Sequence, residues 1–319
     1  MDIDVISSAV PSQAPPRIEA VKAEPLHLSA SLTVGQAFQA IALNCLTQIQ
    51  ANAAGVRQQD GESVHQMRVG LRRLRLALSI FKSLLFPTDP LRAELAWLAE
   101  QLGLARDWDI LAGAIVDNVA TALEDPLPVA EIRRAAAVEA KKHYHLAADA
   151  VGSERYEHLL AALSQWIENR HWHDSESTTQ RKQRKNRLPD FADTVLAHYR
   201  HSLRKQGKWL PEATARQRHK VRIAAKKMRY ATEFFQSLYK TKARSPFVAA
   251  LVDLQEVLGK LNDAASASRL LRELPIINPA LTESAGYIRG YLAAATRNEQ
   301  DNVYHLWQKF EGMKLPESR

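Results

Sequence analysis

His65-Gln-Met-Arg-Val-Gly-Leu-Arg-Arg-Leu-Arg75 returns later in the chain as His219-Lys-Val-Arg-Ile-Ala-Ala-Lys-Lys-Met-Arg229. Five basic positions recur: His65, Arg68, Arg72, Arg73 and Arg75, then His219, Arg222, Lys226, Lys227 and Arg229. At about 100° per helical residue, all five of each copy fall within about 80° of the histidine direction. Met67, Leu71, Leu74, Leu78, Phe81 and Leu85 gather on the opposite side, as do Val221, Met228, Phe235 and Tyr239. Each copy therefore predicts a helix with one buried stripe and one cationic stripe. A stripe that only solvates a surface carries opposite charges at i+3 or i+4, yet no carboxylate lies between His65 and Lys82 or between His219 and Arg229. Unpaired cations written twice read as a site for a polyanion.

The repetition extends downstream. Asp89-Pro90 returns as Ser245-Pro246, each read as an N-cap followed by proline at the first helical position. Leu102-Gly103 with Arg106-Asp107 matches Leu258-Gly259 with Asn262-Asp263, and in the same register Arg133 and Lys141 fall opposite Arg289 and Arg297. A long-period repeat marks duplicated units that bury their apolar faces together.

On these residues the chain resembles the CHAD family, the conserved histidine α-helical domain. His-x-x-Arg-x-x-x-Arg-Arg-x-Arg fits His65 to Arg75, Leu-Gly-x-x-Arg-Asp-x-Asp fits Leu102 to Asp109, and Lys-x-x-Arg-Tyr fits Lys226 to Tyr230. The resemblance spans roughly Leu32 to Phe310. It implies two four-helix bundles related by a pseudo-twofold, with the basic helices lining a central cavity or pore, and inorganic polyphosphate as the ligand. Asn262 and Ala265 stand where the first half has Arg106 and Asp109, so the second Leu-Gly motif departs from the pattern.

Periodicity is helical from Thr33 to Trp166 and from Leu188 to Phe310, which predicts an all-α fold. Helices are expected at about 34–53, 63–86, 90–104, 107–123, 128–150 and 154–169, then 189–206, 213–240, 246–260, 262–273, 279–297 and 298–312. Residues 1–30 are expected as a disordered tail or linker and 31–316 as the domain. Its halves, 31–168 and 188–316, are joined by a basic linker at 169–187. With 319 residues and 46% hydrophobic content the chain can bury a sizeable core. A net charge of +8 favours an anionic partner, although placement on helix faces matters more than the total. The lone Cys45 cannot form an internal disulfide and suits a reducing compartment. No secretory signal or membrane span is read, so a cytoplasmic location is expected, with association with polyphosphate granules and polyphosphate-metabolising proteins implied by the resemblance.

Arginine offers phosphate a planar fork and lysine a compact charge, and side chains at i, i+3, i+7 and i+10 form a ladder suited to a linear anion. Ser63 is the expected N-cap of the first basic helix. The expected ligand-binding set is His65, Arg68, Arg72, Arg73, Arg75, His219, Arg222, Lys226, Lys227 and Arg229, extended by Arg133, Lys141, Arg289 and Arg297. Asp107 and Asp263 are expected to orient arginines or cap helices. His143 with His145, and His171 with His173, stand at i, i+2 and point apart on a helix, so no metal site and no cofactor are expected. Catalysis is not expected, since no nucleophile beside a convergent base is recognisable. Two alternatives stay open: a single-stranded nucleic-acid or general polyanion binder, disfavoured because the basic faces carry little aromatic surface beyond Tyr230, and a metal-dependent enzyme acting on phosphate chains through Asp107 and Asp263.

Overall fold

Thr33 begins the first helix with a capping box, its hydroxyl accepting from Gln36 N while the Gln36 amide accepts from Thr33 N. The computed structural model describes residues 19–85, 89–122, 127–170 and 178–316. The first half holds α1 (Val34–Ala51), α2 (Ala53–Arg57), α3 (Gly61–Ile80), α4 (Asp89–Ile110), a π-helical turn (Leu111–Ile115), α5 (Val116–Ala120), α6 (Leu127–Val151) and α7 (Glu154–Glu168). Between the halves lies α8 (Thr178–Arg184), and the second half holds α9 (Leu188–Gly207), α10 (Ala215–Phe234), α11 (Thr241–Ile277), α12 (Thr282–Asn298) and α13 (Gln300–Glu311). The all-α expectation holds, and the one β-type pairing among the described residues is an isolated bridge between Thr33 and Arg187, at the starts of α1 and α9.

In the first half α3 packs on α1 and α4, and α4 on α6; in the second α10 packs on α9 and α11, and α11 on α12. Corresponding helices also meet across the halves, α3 with α10, α4 with α11, α6 with α12 and α1 with α9. Gly70 permits the close approach of α3 to α1, because a Cβ there would come within 2.9 Å of the Ile49 side chain. Two apolar cores result, and both are shared. One joins α1, α3 and α7 to α9, α10 and α13; the other joins Trp108, Leu111 and Ile132 to Leu270, Leu274 and Ile288.

Several expected boundaries move. The breaks after 104 and 260 do not occur, since Leu102-Gly103 lies inside α4 and Leu258-Gly259 inside α11. Ser245 is not an N-cap: α11 starts a turn earlier, Pro246 lies within it, and the Ser245 hydroxyl donates to Thr241 O. Asp60, not Ser63, caps α3, its carboxylate accepting from Ser63 N at 2.7 Å. Of the expected tail, 1–18 lies outside the described residues, while the stretch that follows is docked: Val21 N donates to Asn52 Oδ1, Asn44 to Glu24 O, and Leu28 N to Ser237 Oγ. The expected linker contains α8, with Arg184 buried; 171–177, including His171 and His173, lies outside the described residues. Cys45 is a buried core thiol, as its apolar helix suggests.

Candidate functional site

Between the two cores α3, α4, α10 and α11 part around a cavity of about 570 Å³. On α4 its residues Arg106 and Asp107 fall between Leu102, in the first core, and Trp108, in the second. On α11 Asn262, Asp263, Ala265 and Ser266 fall in the same way between Leu261 and Ala267. The cavity is thus where neither core continues, and polar side chains occupy the gap.

His65, Arg68 and Arg72 enter from α3, and His219, Arg222 and Lys226 from α10. These are the central positions of each ladder. The edge positions, about 80° from the histidine direction, point elsewhere. Arg73 is buried, donating to Gln48 Oε1 at 3.0 Å and Asn44 Oδ1 at 2.8 Å, with its guanidinium over the Phe234 ring. Arg75 and Lys227 are exposed away from the cavity. Arg229 pairs with Glu233 at 2.7 Å. Arg133 donates to Asp117 at 2.6 Å and to Ala112 O in the π-helical turn, so it secures that turn. Lys141 is exposed outside the cavity, and Arg289 and Arg297 line a second one.

Three cations outside the expected ligand-binding set also line the cavity: Arg106, which belongs to the first Leu-Gly motif, and Arg218 and Arg269, which the repeat did not reveal. In the matched register Arg218 stands opposite Val64 and Arg269 opposite Gly113, so a search for duplicated cations passes over them. The spacing 218, 222, 226 was the available signal, because i, i+4, i+8 keeps one helix face. Altogether seven arginines and lysines line the space against two aspartates, among the described residues.

The two aspartates brace arginines, as expected. Arg68 lies 4.0 Å from Asp107 and donates to the carbonyls of Leu102 and Gly103; Arg222 lies 3.8 Å from Asp263. Asp107 also reaches Arg269 of the other half at 3.8 Å, and Arg72 donates to the hydroxyl of buried Tyr230 at 3.2 Å. Burial raises the Asp107 pKa, with Asp263 adding to the rise and Arg68 and Arg269 opposing it. His219 Nδ1 meets Asn262 Oδ1 at 2.7 Å. Because that oxygen only accepts, Nδ1 carries the proton and the other ring nitrogen is left for a ligand.

The cations crowd one another. Burial, then Arg72 and Arg222, push the Lys226 amine down to about 7, and Asp263 only partly opposes them. His65 is lowered by burial first and then by Arg106, with Arg72 and Arg68 adding to the effect. Beyond burial, part of each shift comes from neighbouring cations that the two aspartates do not balance. The site can take up an anion with several phosphate-like groups, which would restore those protons. No group of three or more His, Cys, Asp or Glu side chains suited to a metal occurs among the described residues, and no helix there is long and apolar enough to cross a membrane.

The model of the CHAD domain family matches residues 40–272. The crystal structure of the CHAD domain from the plant Ricinus communis is 32% identical and superposes with a TM-score of 0.83, covering 94% of this chain and 99% of that one. PptA from Streptomyces chartreusis is 17% identical with a TM-score of 0.64, covering 86% and 99%, a likeness of fold alone. No curated protein sequence matches the chain.

Proposed function

The chain belongs to the CHAD domain family, and on that premise we propose that it binds inorganic polyphosphate in the cavity between α3 and α10 without transforming it. The observation that carries this reading is the convergence of seven arginines and lysines from both halves on one space containing two carboxylates. A linear polyanion supplies many charges on one covalent thread, so its contacts add without the separate entropic cost of binding several small ions. Its arrival neutralises the repulsion that adds to burial in lowering Lys226 and His65. The meeting of α3 with α10 and α4 with α11 supports reading the two halves as a duplication around a common basic pore.

Binding without turnover suits the aspartates. Asp107 sits between Arg68 and Arg269, and Asp263 beside Arg222, so each carboxylate already faces cations that would repel a divalent metal. Nucleic acid is the weaker ligand on this reading, because Tyr230 is buried and offers no face for a base to stack on. Attachment to polyphosphate granules and recruitment of polyphosphate-metabolising proteins in the cytoplasm are consequences of the same reading.

The test is a competition titration at fixed salt, with long-chain polyphosphate bound and RNA of equal charge, triphosphate or orthophosphate added. Polyphosphate should resist all three, and affinity should fall as salt rises, as for any release of condensed counterions. Equal affinity for RNA would refute the assignment, and phosphate released on incubation with magnesium and lost in Asp107→Asn would establish the enzyme instead.

A further inference from the structure

Beyond the central cavity, a second one of about 460 Å³ lies against α11 and α12. Arg218, Ala215, Leu261 and Ala265 line both cavities, so the two are adjoining spaces with Arg218 at the junction. Arg218 is held there by its bond to Ala213 O. The second space is walled by Arg272 from α11 and by Arg289 and Arg297 from α12, over a floor of small side chains that includes Ala264, Ser268 and Ala293; no carboxylate among the described residues lines it. Arg289 and Arg297 are separated by eight residues, about 12 Å along the helix axis. That length suits a chain and exceeds a single phosphate.

In the matched register the first half ties up the corresponding cation. Arg133, the counterpart of Arg289, is neutralised by Asp117 at 2.6 Å. Glu273 is the counterpart of Asp117, but Arg269 holds it at 2.7 Å, and Arg269 itself replaces Gly113. Among the described residues Arg289 is left without a carboxylate partner, as are Arg272 and Arg297. The arginine at position 269, which adds a cation to the central cavity, therefore also leaves Arg289 of the groove free.

We infer that this groove is a second anion subsite, which carries a phosphate chain out of the central cavity past Arg218 along α11 and α12. The inference rests on the polyphosphate reading of the central cavity and adds to it a chain-length preference and a path of exit. Chains long enough to reach Arg289 and Arg297 gain contacts that triphosphate cannot make.

The experiment titrates triphosphate and long-chain polyphosphate into the parent, into Arg289→Gln with Arg297→Gln, and into the first-half control Arg133→Gln with Lys141→Gln. Both Arg289 and Arg297 are exposed, so the first variant should fold like the parent, which a thermal melt verifies. It should lose about tenfold or more in affinity for the long chain, from two charge-assisted contacts, and keep the parent's affinity for triphosphate. The control should bind the long chain within about twofold of the parent. Unchanged long-chain affinity in the groove variant, an equal loss for triphosphate, or an equal loss in the control would each overturn the subsite while leaving the central cavity standing. A parent that binds no polyphosphate would overturn both readings.

Discussion

Arg72 lines the cavity, while its neighbour Arg73 is buried between the amides of Asn44 and Gln48 and the ring of Phe234. Arg73→Ala should therefore cost about 2–4 kcal/mol, since it removes buried packing and strands two acceptors, whereas Arg72→Gln should weaken polyanion binding with little effect on melting. Thermal melts of the two variants measure this, and equal melting temperatures would contradict it. Helical periodicity made the cationic stripe legible, but it could not tell Arg73 from Arg72, because the acceptors that claim Arg73 sit on α1, far away in sequence. The same limit explains the counterions: Glu233 meets Arg229 within its own helix, but Asp107 and Asp263 reach Arg68 and Arg222 from other helices. Lys226 carries a pH signature. Its amine holds a proton up to about 10.5 in the unfolded chain and only to about 7 when folded. Between those values the unfolded chain binds more protons, so stability should rise with pH across that window and be lost as pH falls through about 7. Lys226→Met should remove that gain, as read by melting at about pH 6.5 and about pH 9. Polyphosphate returns the proton, so affinity should fall as pH rises from about 6 to about 8. His65 acts with the same sign, and comparing Lys226→Met with His65→Gln separates the two contributions.

At the scale of elements, α4 and α11 each run straight through a Leu-Gly pair that composition alone marks as a break. A glycine inside a helix signals a turn only where its backbone leaves helical geometry, and here it does not. No atom lies within 4 Å of a Cβ placed on Gly103 or Gly259. Gly103→Ala and Gly259→Ala should thus each stabilise the protein by roughly 0.5–1 kcal/mol, through the lower backbone entropy of the unfolded chain. A fall in melting temperature for both would contradict this. The helix starts were legible where a capping box stood alone, as at Thr33. They were misread where a second signal competed: Ser245-Pro246 looks like a start, but the preceding turn from Thr241 already pairs and the Ser245 hydroxyl meets one of its carbonyls.

For the whole molecule, the decisive property is that neither half owns a core. Apolar side chains of α3 and α10 meet in one cluster, and those of α6 and α12 in the other. Residues 31–186 produced alone should expose half of each core and fail to fold, whereas the full chain should melt in one transition; a cooperative melt of the isolated half would contradict this. The repeated motifs could be read in the sequence, but the sharing of cores could not, since an apolar stripe does not name its partner. That sharing is what places the basic faces of α3 and α10 opposite one another. The central claim is that cations from both halves grip one polyanion. It is tested most directly by titrating long-chain polyphosphate, at one fixed salt concentration, into Arg72→Gln, Lys226→Gln and the protein carrying both. Each single change should weaken binding about tenfold, and the pair should weaken it further. Binding by the double variant as tight as the parent's would contradict the account.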